Sequence, residues 1–208
     1  MNYLNFTQLT VWHDGVNMVY RPHGQQPINT IMPYYGLSQK ATMNIRTEHV
    51  SDATEIDALT QAAFLNAPYT SHTEHLIVGA LRAANALTVS LVATEAGRIV
   101  GHVAVSPVSI SSGAAHWYGL GPVSVLPEMQ GLGIGSRLIT AALAQLQTLS
   151  AHGCVVLGEP EYYQRFGFKA EPSLVLADVP AEYFMALGFY EDVPSGNVAY
   201  HAAFDVTA

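Results

Sequence analysis

From Met43 onward the chain switches between two hydrophobic periods. Asn44–His49 alternates as a short strand. Asp52-x-x-Glu55 has the form of a capping box and leads a run with Ile56, Leu59 and Ala63 on one helical face. Ser71-x-x-Glu74 repeats the device ahead of a second predicted helix, His75–Ala84. Two β-rich runs follow, Thr88–Thr94 and Ile99–Ile110, joined by Glu95-Ala96-Gly97-Arg98 as strand, turn and strand of an antiparallel hairpin. Ser111-Ser112-Gly113 turns the chain into a third run, Ala115–Leu126. The period then changes. Over Gly135–Ser150, Leu138, Ala142, Leu146 and Leu149 form one helical stripe, flanked by Ile139 and Leu143. Gly153 stands where a helix stop is expected, and Cys154–Leu157 reads as a wholly apolar strand of a buried sheet. β-like runs return in the last third, most clearly over Val198–Val206.

One strand–helix–strand unit after antiparallel hairpins predicts an α/β (α+β) domain with a mixed, mostly antiparallel sheet and helices on both faces. We place that single domain at residues 43–208. Residues 1–42 read differently: Gly15, Pro22, Gly24, Pro27, Pro33 and Gly36 interrupt any period. They are expected to form a poorly ordered N-terminal extension. The alternative is an arm that packs on the domain or on a partner through Trp12, Tyr20, Tyr34 and Tyr35. Met43 could equally be the start of translation.

Composition removes several function classes. Of 208 residues, half are hydrophobic and 12% are charged, which disfavours a disordered chain. Eight Lys and Arg against sixteen acids give a net charge of −8, so phosphate neutralisation has no basic run to draw on and nucleic acid is not an expected partner. Cys154 is the only cysteine, which excludes an internal disulfide and a Cys-cluster zinc site. No apolar run approaches the roughly 18–20 residues of a membrane span, and the N-terminus lacks a signal-peptide pattern. No membrane or metal is expected, and the expected compartment is the cytoplasm.

The chemistry concentrates in Val123-Ser124-Val125-Leu126-Pro127-Glu128-Met129-Gln130-Gly131-Leu132-Gly133-Ile134-Gly135-Ser136. This is a strand, a turn, a glycine-dense loop and the start of a long helix. The first N–H groups of a helix lack intrahelical acceptors, the dipole adds positive charge, and glycines let an anion approach the backbone. The loop therefore reads as a phosphate or pyrophosphate cradle that works through main-chain donors. A P-loop requires Gly-Lys-Ser/Thr, but Gly135 is followed by Ser136-Arg137. The dinucleotide fingerprint lacks its last glycine, since Ser136 stands there, and this loop does not open the domain.

Gln130-x-x-Gly133-x-Gly135 after a strand resembles the acyl-CoA signature of the GNAT superfamily of N-acetyltransferases. Tyr162-Tyr163-Gln164-Arg165-Phe166-Gly167-Phe168 resembles that family's aromatic-Tyr-x-x-x-Gly-Phe segment, after the next strand. The resemblance covers roughly Met43–Phe168 well and the remainder loosely. It implies acetyl-CoA as co-substrate and transfer of the acetyl group to a primary amine by direct attack in a ternary complex. It also implies that main-chain N–H groups of Gln130, Gly131, Leu132, Gly133, Ile134, Gly135 and Ser136 hold the pyrophosphate. Val123, Ser124 and Val125 would line the pantetheine arm, and Tyr163 would protonate the departing thiolate. Pro122 fits a point where strand pairing ends.

No base for the amine is identifiable. His102, His116 and Glu128 are candidates, and in this superfamily the proton can leave through waters. Cys154 reads as a small core residue, with a covalent acetyl-cysteine role as the remote alternative. The acceptor is a small-molecule or peptide amine, and acids in the C-terminal third suggest a cationic one. A homodimer is compatible with this reading. An inactive acyl-CoA-binding or sensor module of the same fold remains the alternative function.

Overall fold

The computed structural model describes residues 42–67, 70, 72–190 and 192–207. Of the expected N-terminal extension, only Thr42 falls within these residues. The strand-period runs become β1 (Asn44–Thr47), β2 (Val89–Glu95), β3 (Arg98–Pro107), β4 (Ser109–Ile110) and β5 (Trp117–Val125). The helical runs become α1 (Ala53–Phe64), α2 (Glu74–Ala83) and α3 (Ile134–Thr148). Then come β6 (Gly153–Leu157), a one-turn α4 (Pro160–Tyr163), β7 (Lys169–Ala170), β8 (Leu174–Leu176), β9 (Phe184–Gly188) and β10 (Gly196–Ala199).

Seven strands form the main sheet in the order β1-β2-β3-β5-β6-β9-β7. The β5–β6 pair is parallel and the remaining pairs of this sheet are antiparallel. A second sheet has the order β4-β10-β8. The expected mixed, mostly antiparallel sheet is therefore present. α3 covers one face by burying Ile134, Leu138, Ile139, Ala142, Leu143 and Leu146. It lies so close that a Cβ at Gly101 of β3 would stand 2.9 Å from both Ile134 Cγ2 and Leu138 Cδ1. α1 covers the other face, where Thr60 meets Ser124 of β5. Burying large apolar side chains in this way contributes about 1.5–3 kcal/mol each.

Several local expectations are corrected. Asp52 does not cap α1. Its carboxylate accepts from the His49 N–H at 2.7 Å and pairs with Arg46, closing the turn before the helix. Glu55 instead reaches across to accept from Ile99 N–H at 2.9 Å. Ser71 lies outside the described residues, and Glu74 accepts from Thr70 Oγ1. The long run Ile99–Ile110 divides because Ser109–Ile110 leaves for the second sheet. Gly153 does not stop α3. Ser150 takes the left-handed conformation (φ 56°), and Gly153 opens β6, where a Cβ would overlap the Trp117 ring. Leu149 falls off the buried stripe at 48% exposure. Val198–Val206 is not one strand, because β10 ends at Ala199 and residues 202–205 form a 3-10 turn.

Candidate active site

The parallel strands β5 and β6 stay together for four residues, with Trp117–Leu120 paired to Gly153–Val156. Beyond Leu120, β5 is paired with β3 alone, resuming at Val123 opposite Val103. Pro122 has no N–H to donate, so the ladder stops at a residue that cannot extend it. Among the described strands, none pairs with the outer edge of Val123–Val125. Such an edge is a template for an extended ligand rich in amides.

The glycine loop closes one end of this fork. Gln130 Nε2 donates to Val125 O at 3.1 Å and ties the loop to the strand. Gly131 (φ 76°) and Gly133 (φ 77°) lie in the left-handed region that side-chain-bearing residues resist. Gly133 is the N-cap of α3 and has no side chain with which to cap it. Arg137 N–H reaches Gly133 O at 3.1 Å, so the N–H groups of Ile134, Gly135 and Ser136 precede the first helical acceptor. A Cβ at Gly133 would meet nothing within 4 Å, so the space before the helix is open. Three converging donors at the positive end of a helix dipole suit a phosphate group. Leu132, 66% exposed, stands beside them. Gly135 has another reason to be glycine: a Cβ there would lie 3.1 Å from Tyr162 Oη.

The three valine–serine–valine positions share a backbone edge but not a direction. Val123 and Val125 turn toward α3, 4.0 and 3.7 Å from where a Gly135 Cβ would stand. Ser124 turns to the opposite face and donates to Thr60 Oγ1 at 3.2 Å.

α4 brings two tyrosines to the fork after β6. Their rings meet edge to face with centroids 5.1 Å apart. Tyr162 Oη lies 3.5 Å from Ser136 Oγ, and the Arg165 guanidinium covers its ring at 4.5 Å. Tyr163 is 3% exposed, its ring against Phe168 and over Gly158, where a Cβ would overlap it. Burial, with Tyr162 and Cys154 nearby, pushes its phenol above the usual range, so the hydroxyl keeps its proton. Burial likewise pushes the Cys154 thiol up. A group that stays a thiol inside the core is no nucleophile, which removes the basis for the acetyl-cysteine alternative.

The other candidate bases are separated by the structure. His116 is exposed at the start of β5, away from the fork, with its ring 5.2 Å from that of His152. Glu128 is exposed and pairs with Arg98 at 3.4 Å. His102 is 0% exposed and belongs to a network that the hydrophobic pattern did not reveal. Arg82 donates twice to Glu48 at 2.9 Å, and Ser90 Oγ donates to Glu48 Oε2 at 2.6 Å. His102 Nε2 is 2.8 Å from Ser90 Oγ and 3.7 Å from Glu48 Oε2. Burial works against the Glu48 charge, but the nearby His102 ring and the hydrogen bonds from Arg82 and Ser90 outweigh it and hold the carboxyl well below the usual range. Burial lowers the His102 pKa, and the attraction of Glu48 only partly offsets this. Among the described residues, His102 Nδ1 and Ser106 Oγ are buried without a hydrogen-bond partner. The signal for these residues was present in the sequence. Ser90, His102 and Ser106 are polar positions set among the apolar residues of β2 and β3.

Comparison with known proteins gives one consistent result. Residues 87–170 match the family described as an acetyltransferase (GNAT) domain. The uncharacterized N-acetyltransferase YhbS of Escherichia coli strain K12 is 37% identical over 128 residues, which span 61% of this chain and 74% of that one. A GNAT family acetyltransferase from Brucella melitensis, solved in complex with acetyl-CoA, is 53% identical. It superposes with a TM-score of 0.72 over 79% of this chain and 99% of its own. The E. coli YhbS structure, solved in complex with CoA, superposes with a TM-score of 0.75 over 84% and 98% at 29% identity.

Proposed function

The chain belongs to the GNAT superfamily of N-acetyltransferases, and on that premise we propose that it moves the acetyl group of acetyl-CoA to a primary amine by direct attack in a ternary complex. The observation that carries the reading is the fork. An unpaired edge of β5 runs into an uncapped, glycine-framed start of α3. The residues fit the co-substrate, which supplies an activated thioester. Main-chain donors from Gln130 to Ser136 hold its pyrophosphate, and the backbone edge of Val123–Val125 pairs with the amides of its pantetheine arm. The catalytic unit is residues 43–208.

The amine attacks the thioester carbonyl, and the thiolate that leaves must gain a proton. Tyr163 keeps its proton at neutral pH and provides the donor, because burial disfavours its phenolate. The acceptor is a cationic amine in solution, of the polyamine, amino-sugar or peptide N-terminus kind. Acids in the C-terminal third favour its approach.

Thiol release from acetyl-CoA, measured against a panel containing spermidine, glucosamine and an alanine-terminated peptide, tests the activity. Acetylated product should appear by mass with at least one of them. CoA binding without thiol release from any amine would instead support the sensor module.

A further inference from the structure

The two faces of the fork carry different side chains. Tyr163 belongs to the core under α3, together with Leu138, Ala142 and Leu146. Trp117 and Val155 turn to the opposite face, into the smaller core shared with the second sheet. Gly119 lies two residues beyond Trp117 and pairs with Val155, so it shares that face. The Tyr200 ring, just after β10, rests on this glycine, where a Cβ would overlap it. Tyr200 and Tyr163 therefore approach the fork from opposite sides of the sheet. Tyr200 is half-buried. Burial, with Cys154 and Tyr163 nearby, pushes its phenol above the usual range, so the group stays neutral. Its hydroxyl makes no hydrogen bond with the described residues.

The space next to it is open. Leu120 is the last β5 residue paired with β6, and Gly121 follows with no partner on β3 or β6. Gly121 is half-buried between the buried Leu120 and Pro122, and a Cβ there would meet nothing within 4 Å. It stands two residues, roughly 7 Å of strand, from the glycine under Tyr200. Across the fork, Leu157 continues β6 past Val156, the partner of Leu120, and turns to the same face as Val155. Val108 completes this side, 3.0 Å from where a Gly119 Cβ would stand. Two aliphatic side chains and one phenol thus border the open mouth.

We propose that the acceptor enters the fork from this face, its amine N–H donating to Tyr200 Oη and its carbon chain lying against Val108 and Leu157, which makes Tyr200 a specificity residue for an amine carried on an aliphatic arm. The inference rests on the acetyltransferase reading. The helix and Tyr163 close the α3 face, so the Tyr200 side is the one left for an incoming amine. A neutral phenol oxygen accepts one amine hydrogen and leaves the nitrogen lone pair free to attack. A sugar ring would set its hydroxyls against Val108 and Leu157 without partners, a cost that a methylene chain avoids.

Tyr200→Phe keeps the ring over Gly119 and removes only the hydroxyl. The KM for spermidine should rise roughly 2–10-fold, the equivalent of one neutral hydrogen bond. Acetyl-CoA affinity, kcat and melting temperature should stay nearly unchanged. A hydroxyl with a merely structural role would instead lower the melting temperature and leave the spermidine KM alone, and that result would overturn the proposal. The wild-type protein should also acetylate spermidine with a higher kcat/KM than glucosamine, and the reverse order would count against it equally. If the variant does not fold, the wild-type CoA complex decides. With saturating spermidine, nuclear Overhauser contacts should join its methylene protons to the Tyr200 ring, and a spectrum without them would sink the idea. Failure of the activity reading looks different: the wild-type protein would then release no thiol with any amine of the panel.

Discussion

Tyr162 and Tyr163 are neighbours in sequence, yet they face different parts of the same fork. Tyr162 Oη stands at the first turn of α3, near Ser136 and Gly135. Tyr163 is enclosed by Phe168, Phe166 and the bare backbone of Gly158. The two phenylalanine substitutions should therefore separate. Tyr163→Phe keeps the ring and deletes the donor, so kcat should fall about 10²–10⁴-fold with acetyl-CoA affinity nearly constant. Tyr162→Phe should instead weaken acetyl-CoA binding and spare the chemical step. Pre-steady-state acetyl transfer, with calorimetry for affinity, distinguishes them. Normal transfer by the Tyr163 variant would remove that residue from the mechanism. Gly158→Ala supplies an independent check. Its methyl would overlap the Tyr163 ring, and overpacking of this kind costs about 1–3 kcal/mol. It should lower both melting temperature and kcat, which a role for Gly158 in flexibility alone would not do.

At the scale of elements, the glycine loop and α3 were legible because their signals are local. Spacing placed the glycines, and a 3.6-residue stripe placed Leu138, Ala142 and Leu146 in the core. The tyrosine-bearing turn was legible for the same reason. What the pattern did not reveal depends on contacts between distant segments. Ser109–Ile110 looks continuous with β3 until β10, about ninety residues later, draws it into another sheet. Gly153 looked like a helix stop, but its lack of a side chain answers to Trp117 across the sheet. His102 was visible as a candidate, whereas the other members of its network, Glu48, Ser90 and Arg82, come from the chain after β1, from β2 and from α2. Gly133→Val tests the loop as an element. A β-branched residue at φ 77° is strained by about 1–3 kcal/mol, and it fills the open space before the helix. CoA should cease to raise the melting temperature, although the fold is kept. Leu138→Ala, on the same helix, should cost about 2–5 kcal/mol of stability and leave CoA affinity largely unchanged. Unaltered CoA binding by Gly133→Val would show that the pyrophosphate sits elsewhere.

On the scale of the whole molecule, the Glu48 network joins the chain after β1 to α2, β2 and β3, so its protonation should govern acid stability. The Glu48 carboxyl is held below its ordinary value of 4.5 in the folded state. Its contribution is present above that pH and is lost as the pH falls toward the folded value. His102 is also depressed, below its ordinary 6.5. The unfolded ring then binds a proton that the folded ring refuses, so stability begins to fall as the pH drops through 6.5. Both groups act in the same direction: unfolding free energy should decline in two stages on acidification, first through histidine and then through carboxylate. Glu48→Gln isolates the second stage. It removes the charge that Arg82 faces at 2.9 Å, and a hydrogen bond to a charged group is worth about 1.5–3 kcal/mol. Arg82 retains access to water, which places the loss at the lower end of that range. Denaturant titrations at a series of pH values should show the variant destabilised near neutrality and flatter below pH 4.5 than the wild type. Parallel curves for the two proteins would mean that other carboxylates govern acid unfolding. A wild-type midpoint that does not move between neutrality and pH 4.5 would contradict the depressed histidine.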